Sequence, residues 1–107
     1  MTDGRRWVVH DRWGNEIYLT DERWEHIVEG HPEMHGHEGE LRDAIRSGQR
    51  LQDSLNPQKY RYSKRFPNLP MDNTHVVAIV LFRFGQSEDG TPYSNNYVVT
   101  AFQKEVG

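Results

Sequence analysis

Val76 to Phe82 reads VVAIVLF, seven apolar residues without interruption. A membrane-spanning helix needs roughly 18 such residues, so this run is too short to cross a bilayer. It has the length of a strand, and a strand that is apolar at odd and even positions alike is covered on both faces. THVVAIVLFRF is therefore predicted to be the central strand of a sheet, with the rest of the chain arranged around it.

The neighbouring segments supply partners. KYRYSKRF, from Lys59 to Phe66, alternates. Tyr60, Tyr62 and Phe66 fall on one side, and Lys59, Arg61, Ser63 and Arg65 on the other. YSNNYVVTAFQK is predicted to be the last strand, and RLQDSL a short one ending at an Asn56-Pro57 turn. WVVHDRWGNEIYLT reads as two short strands around a Gly14-Asn15 turn. FPNLPMDN and GQSEDGTP are expected to be a loop and a turn.

Two helices precede the main run of strands. Thr20 is a good N-cap, and Asp21 and Glu22 suit the first turn, where the helix dipole favours negative charge. Trp24, Ile27, Val28 and His31 share one face, and Pro32 stops the helix near His31. MHGHEG is expected to be a loop. A second helix is predicted from about Glu38 to Ser47, with Leu41, Ala44 and Ile45 inward and Gly48 at its end. The pattern predicts an α+β domain spanning residues 1–107, with residues 1–16 as a short N-terminal strand or hairpin extension. Its two N-terminal helices would pack on a twisted antiparallel meander of four to five strands.

Composition narrows the chemistry. The 107 residues suit one domain, and 35% hydrophobic content is low. Three Trp, five Tyr and four Phe offset this, because each aromatic buries a large area. The chain has no cysteine, so it has neither disulfides nor thiolate metal sites. The first residues lack the apolar segment of a secretory signal, and the expected location is cytoplasmic. Net charge is −3, but the charges are segregated. Nine acids stand against Arg23 and Arg42 between Glu16 and Asp43, whereas Ser54 to Met71 holds Lys59, Arg61, Lys64 and Arg65 and no acid. That balance disfavours nonspecific coating of nucleic acid and permits one phosphate-rich site.

Four of the six histidines lie between Thr20 and Gly39. His31 lies on the apolar stripe, where a histidine at a helix C-terminus also serves structure alone. His26 lies off the stripe, near Glu22 and Glu29, and is either a solvated partner of those acids or a general acid or base. His35 and His37 complete a cluster whose spacings of five, four and two are broken by Pro32, so a metal site is the weaker reading. On the basic strand, guanidinium groups grip phosphate bidentately, and Tyr60 and Tyr62 would stack on bases if their side is open. The structural alternative is an edge strand protected by charge. Thr100 can donate to a phosphate oxygen or simply satisfy β-propensity.

The combination of LTDERWEHIVEGHPE, a second helix, a basic strand, an apolar strand and VVTAF resembles a family of small uncharacterised phage-associated and cyanobacterial domains. These belong to the barnase–EndoU–colicin–RelE group of ribonuclease-like folds. The resemblance runs from about Ile17 to Gln103 and is most specific at Trp24 to Glu33 and Val99 to Phe102. It implies a metal-independent endoribonuclease or toxin-like effector without cofactor, acting by attack of the ribose 2′-hydroxyl on the adjacent phosphate. His26, His31, Arg61 and Thr100 would be its catalytic residues, and Lys59, Tyr60, Tyr62, Lys64 and Arg65 would bind RNA. A protein antitoxin or inhibitor is the implied partner. The chain departs from the family in its HGH at 35–37 and its long FPNLPMDN loop. Two alternatives stand beside this reading: a catalytically silent RNA-binding or regulatory module of the same fold, and a metal-dependent hydrolase built on the histidine cluster.

Overall fold

The computed structural model describes residues 4–106. The chain opens with a hairpin of β1 (Arg5–His10) and β2 (Glu16–Thr20). Asp11 fixes its turn: its carboxylate accepts from the backbone N–H groups of Trp13 and Asn15, and Gly14 takes a φ of +80°. Thr20 then caps α1 (Asp21–Gly30) by accepting from the Arg23 N–H at 3.1 Å. His31 is the C-cap, and a short 3-10 turn, Pro32–Met34, leads to α2 (Glu38–Ser47).

Helix α2 is followed at once by β3 (Gln49–Gln52), and Gly48 makes that sharp transition possible. A side chain there would place its Cβ 2.3 Å from the Ala44 carbonyl oxygen and 2.5 Å from that of Ser63. Next come β4 (Lys59–Arg65), β5 (His75–Leu81), β6 (Phe84–Gln86), β7 (Pro92–Ser94) and β8 (Asn96–Lys104).

Six strands form one sheet in the order β1-β2-β8-β5-β4-β3, and β6 and β7 form a separate two-stranded ribbon. The architecture is α+β with two helices and a mostly antiparallel sheet. It corrects the expected layout in three ways. The sheet has six strands rather than four or five. The helices are inserted after the β1–β2 hairpin rather than leading the chain. The hairpin is part of the sheet, because β2 pairs in parallel with β8 at Ile17–Asn96 and Tyr18–Tyr97. The first three residues of the anticipated 1–16 extension lie outside the described ones.

Both helices cover one face of the sheet. Trp24 and Ile27 of α1, Leu41, Ala44 and Ile45 of α2, and Met34 are buried against Val9, Ile17, Leu19, Tyr62, Val76, Ala78, Val80, Val98 and Ala101. Beyond Tyr18–Tyr97, β2 leaves β8, and the 3-10 turn takes its place along that edge. Gln103 donates its side-chain amide to the Glu33 carbonyl at 2.7 Å. At the other end, Arg6 and Trp7 both donate to Glu38, and Arg6 also reaches Asp21 at 3.1 Å, tying β1 to both helices. Among the described residues no helix is long and apolar enough to cross a membrane.

Candidate nucleic-acid interface

Strand alternation places the other half of each strand on the uncovered face. The pairing register sorts these residues into rows that run across the sheet. Tyr18, Tyr97, Leu81 and Lys59 form one row, and Thr100, Ile79, Arg61 and Leu51 the next. Phe102, Val77, Ser63 and Gln49 follow, then Lys104, His75 and Arg65. A bulge at Val99 on β8, opposite the step from Ile79 to Val80, keeps Thr100 and Phe102 on this face while Val98 and Ala101 enter the core.

Four cations therefore share the uncovered face: Lys59, Arg61, Arg65 and Lys104. Among the described residues none of them lies within 4 Å of a carboxylate. Arg61 lines two adjoining grooves. One, of about 460 Å³, also holds Leu51, Lys59, Ile79 and one acid, Asp53. The other, of about 340 Å³, holds Gln49, Leu51, Ser63 and Lys104. Seven of the sixteen acids of the chain lie on the opposite layer, in α1 and α2. Their separation from the basic rows polarises the molecule.

Rings on β2 and β8 share the face with these charges, across β5 from those of β4. Tyr18 and Tyr97 stand 6.1 Å apart, centroid to centroid, and the Arg5 guanidinium lies 4.2 Å from the Tyr18 centroid. The Tyr18 hydroxyl donates to Asn95 at 2.8 Å. The His31 ring lies 5.7 Å from that of Phe102. His31 thus reaches the uncovered face around the free edge of β8, with Glu33 3.6 Å from its Nδ1.

Of the four anticipated catalytic residues, the fold brings three to one face: His31, Arg61 and Thr100. Thr100 is two residues from Phe102, the neighbour of His31. Arg61 and Thr100 are separated by Ile79, which puts their backbones about 10 Å apart. His26 does not join them. Its side chain is 61% exposed and its Nε2 lies 3.9 Å from Glu22, on the solvent side of α1.

The anticipated binding residues divide by parity. Lys59 and Arg65 are on the uncovered face. Tyr62 is fully buried under the helices and cannot stack on a base. Its hydroxyl donates to Asp11 at 2.5 Å, with Arg50 3.6 Å from the same carboxylate. Burial and that bond raise the tyrosine's pKa. Burial alone would raise Asp11 too, but hydrogen bonds from Tyr62, Asn15 and the backbone of Asn15 and Trp13 outweigh it and hold the carboxyl low. Tyr60 is on the same side, packed 4.6 Å from the Phe82 ring with the Arg50 guanidinium 4.7 Å away. Lys64 also turns to the helix side, where it donates to the Ser47 hydroxyl at 2.8 Å.

Sequence reasoning places Phe102 and Val98 on the face of Thr100, of which the bulge sends Val98 to the core, and it missed Tyr18, Tyr97, His75 and Lys104 as members of this face. The signal was present. The parity that makes Ile17 and Leu19 apolar selects Tyr18, and the parity of Thr100 selects Phe102 and Lys104. His75 sits between Arg65 and Lys104 in the last row, and its pKa is lowered by burial and by those two cations.

The remaining histidines are dispersed. His37 pairs with Glu40 at 3.0 Å, and His35 is exposed. Among the described residues no three of His, Asp and Glu converge in a way that would hold a metal ion. Comparison with protein-family models, with curated proteins and with solved structures finds no match to this chain.

Proposed function

We propose that the uncovered sheet face binds single-stranded RNA. The observation that supports this best is the set of four cations, Lys59, Arg61, Arg65 and Lys104, free of carboxylate partners within 4 Å among the described residues and sharing a face with Tyr18, Tyr97 and Phe102. Cations track the phosphate backbone, and rings on a flat sheet stack on unpaired bases. Protection of a sheet edge by charge does not explain Arg61, because β3 lies outside β4 and pairs with it at that position. The choice of RNA over DNA rests on the family resemblance. Membership of that family, a RelE/barnase-like fold and an inhibitory protein partner belong to the same proposal.

Fluorescence anisotropy with a labelled oligoribonucleotide tests the reading. Affinity should fall steeply with added salt, and Arg61→Ala and Lys104→Ala should each weaken it about tenfold, the worth of one charge-assisted hydrogen bond. Binding that is absent, or that is insensitive to both salt and these substitutions, refutes the reading.

One observation favours cleavage as a second reading. His31 stands beside Phe102 and two positions from Thr100 on the face that carries Arg61. A histidine there can take the proton of a ribose 2′-hydroxyl while Arg61 and Thr100 hold the phosphate oxygens. The adjacent phosphorus is attacked, the bond to the 5′-oxygen breaks, that oxygen leaves as a hydroxyl by taking a proton from water or from the His31 imidazolium, and a 2′,3′-cyclic phosphate forms. EDTA-resistant cleavage yielding that product, and abolished in His31→Ala, is the expected outcome. An intact oligonucleotide after prolonged incubation with the wild-type protein would leave binding as the function.

A further inference from the structure

The last row of the uncovered face leads into a depression of about 390 Å³ at the end of β4. Four basic side chains line it: Arg12 from the β1–β2 turn, Lys64 and Arg65 from β4, and His75 from β5. Ser47 and Ser63 add hydroxyls, and none of the lining residues is acidic. Strand β3 begins at Gln49, opposite Ser63, so Lys64 and Arg65 extend beyond the last β3–β4 pair. Being consecutive in a strand, they project to opposite faces and bracket that edge. The close approach of Gly48 to β4 forms part of the wall.

The end of α2 accounts for only part of this. Arg12 donates to the Ser47 carbonyl in the last helical turn, where a cation meets the helix dipole favourably, and Lys64 donates to the Ser47 hydroxyl at 2.8 Å. Among the described residues neither Arg65 nor His75 has a hydrogen bond or ion pair to that turn. His75 has its Nδ1 2.7 Å from the Thr74 hydroxyl, and its lowered pKa records burial and the positive field of Arg65 and Lys104.

We infer that this depression is a binding site for a phosphate monoester. This rests on the RNA reading for one of its two sources. A hollow lined by three cations from two elements, with His75 from a third and no acid, suits a compact dianion better than an extended chain of singly charged diesters. The volume exceeds that of a phosphate group and leaves room for an attached sugar. Because Arg65 and His75 close the last row of the uncovered face, a strand lying along that face would present its terminal phosphate here. A free nucleoside monophosphate offers the same chemistry.

The test compares otherwise identical oligoribonucleotides carrying a 5′-phosphate, a 3′-phosphate or neither, with AMP as the free source. Anisotropy reports strand binding, and the NMR signal of the His75 ring, assigned with His75→Gln, reports occupation of the pocket. One phosphorylated end should bind at least about tenfold tighter than the unphosphorylated strand. Arg12→Gln should remove that preference while the unphosphorylated strand still binds, and Arg65→Gln should remove it while also weakening the unphosphorylated strand. A shift of the His75 signal by AMP, with no preference between strand ends, would support the pocket with a free mononucleotide as its ligand. If no RNA binds and AMP still moves His75, the pocket stands and the uncovered-face reading fails. Equal affinity for all three strands together with an AMP-insensitive His75 overturns the pocket.

Discussion

Tyr62 and Arg61 are adjacent in the chain and belong to opposite worlds. Tyr62 is enclosed between β4 and the helices with its hydroxyl on Asp11, whereas Arg61 faces two grooves on the uncovered side. Strand β5 is apolar at both parities, with Val77 buried on the side away from the helices, but along β4 and β8 the same division holds. One parity is apolar and packed, and the other mixes cations, rings and hydroxyls. A sheet needs only one covered face to fold. The other face is then free to carry charge that the fold neutralises only in part, through Asp53 beside Lys59, and such charge costs stability unless a ligand offsets it.

If the two faces divide labour in this way, substitutions on β4 should separate stability from binding. The largest effect belongs to the covered face. Tyr62→Ala should lower unfolding stability by about 3–5 kcal/mol, the range for removing a buried aromatic, as read from the urea midpoint. Whatever fraction remains folded should keep its affinity for RNA. A Tyr62→Ala protein of wild-type stability would dissolve the comparison.

Tyr62→Phe sharpens it by keeping the ring and deleting the hydroxyl. The bond removed ends on a carboxylate, so the expected loss is about 1.5–3 kcal/mol. Asp11 also predicts the acid limb of the stability curve. Its folded pKa lies below its unfolded one, so its contribution is complete above the unfolded carboxyl value and is lost as pH falls through the folded value. Stability should therefore decline in acid, and Asp11→Asn should flatten that decline while lowering stability at neutral pH. An unchanged acid limb in Asp11→Asn would show that other carboxylates govern it, with Glu38 the next to replace, since Arg6 and Trp7 hold it low against the effect of burial.

On the uncovered face the order of effects reverses. Arg61→Ala should leave stability within about 0.5 kcal/mol, as for surface positions generally. Its effect should appear in binding. Each cation removed from a single-strand contact reduces the slope of log affinity against log salt by about 0.7. Wild type and Arg61→Ala measured across a salt series should differ by that amount, and parallel lines would place Arg61 outside the contact.

What the sequence disclosed depended on the range of each interaction. Helix α2 was legible to its ends, because its apolar spacing and Gly48 are local signals. The turn at Gly14 and the cap at Thr20 were legible for the same reason. The alternation of β4 was legible too, but period-two patterning yields two sets of residues without saying which set is covered. Tyr60 and Tyr62 were expected to stack on bases beside Arg61, although one strand cannot present both parities to the same surface. Only the docking of α2 against β4 and β5 settles the side. The parallel pairing of β2 with β8 joins residues nearly eighty positions apart and leaves no local pattern. The ribbon of Phe84–Gln86 with Pro92–Ser94 was missed because an apolar run and its turn gave no sign that the strand had ended at Leu81.

His26 provides the smallest expected effect and a strict control on the whole division. The sequence groups it with His31, five residues away on the same helix. The helix separates them, since five residues advance about 140° around the axis at 3.6 residues per turn. His31 comes round to Phe102, while His26 remains in solvent near Glu22. An exposed i, i+4 pair contributes only about 0.2–0.5 kcal/mol to a helix. His26→Ala should therefore change stability by no more than that, and RNA affinity and any cleavage should stay at wild-type levels. His31→Ala, made in parallel, should abolish cleavage if cleavage occurs. Loss of function in His26→Ala with stability intact would mean that RNA also reaches the helix layer, and the acidic side of the molecule would then have to be counted as part of the interface.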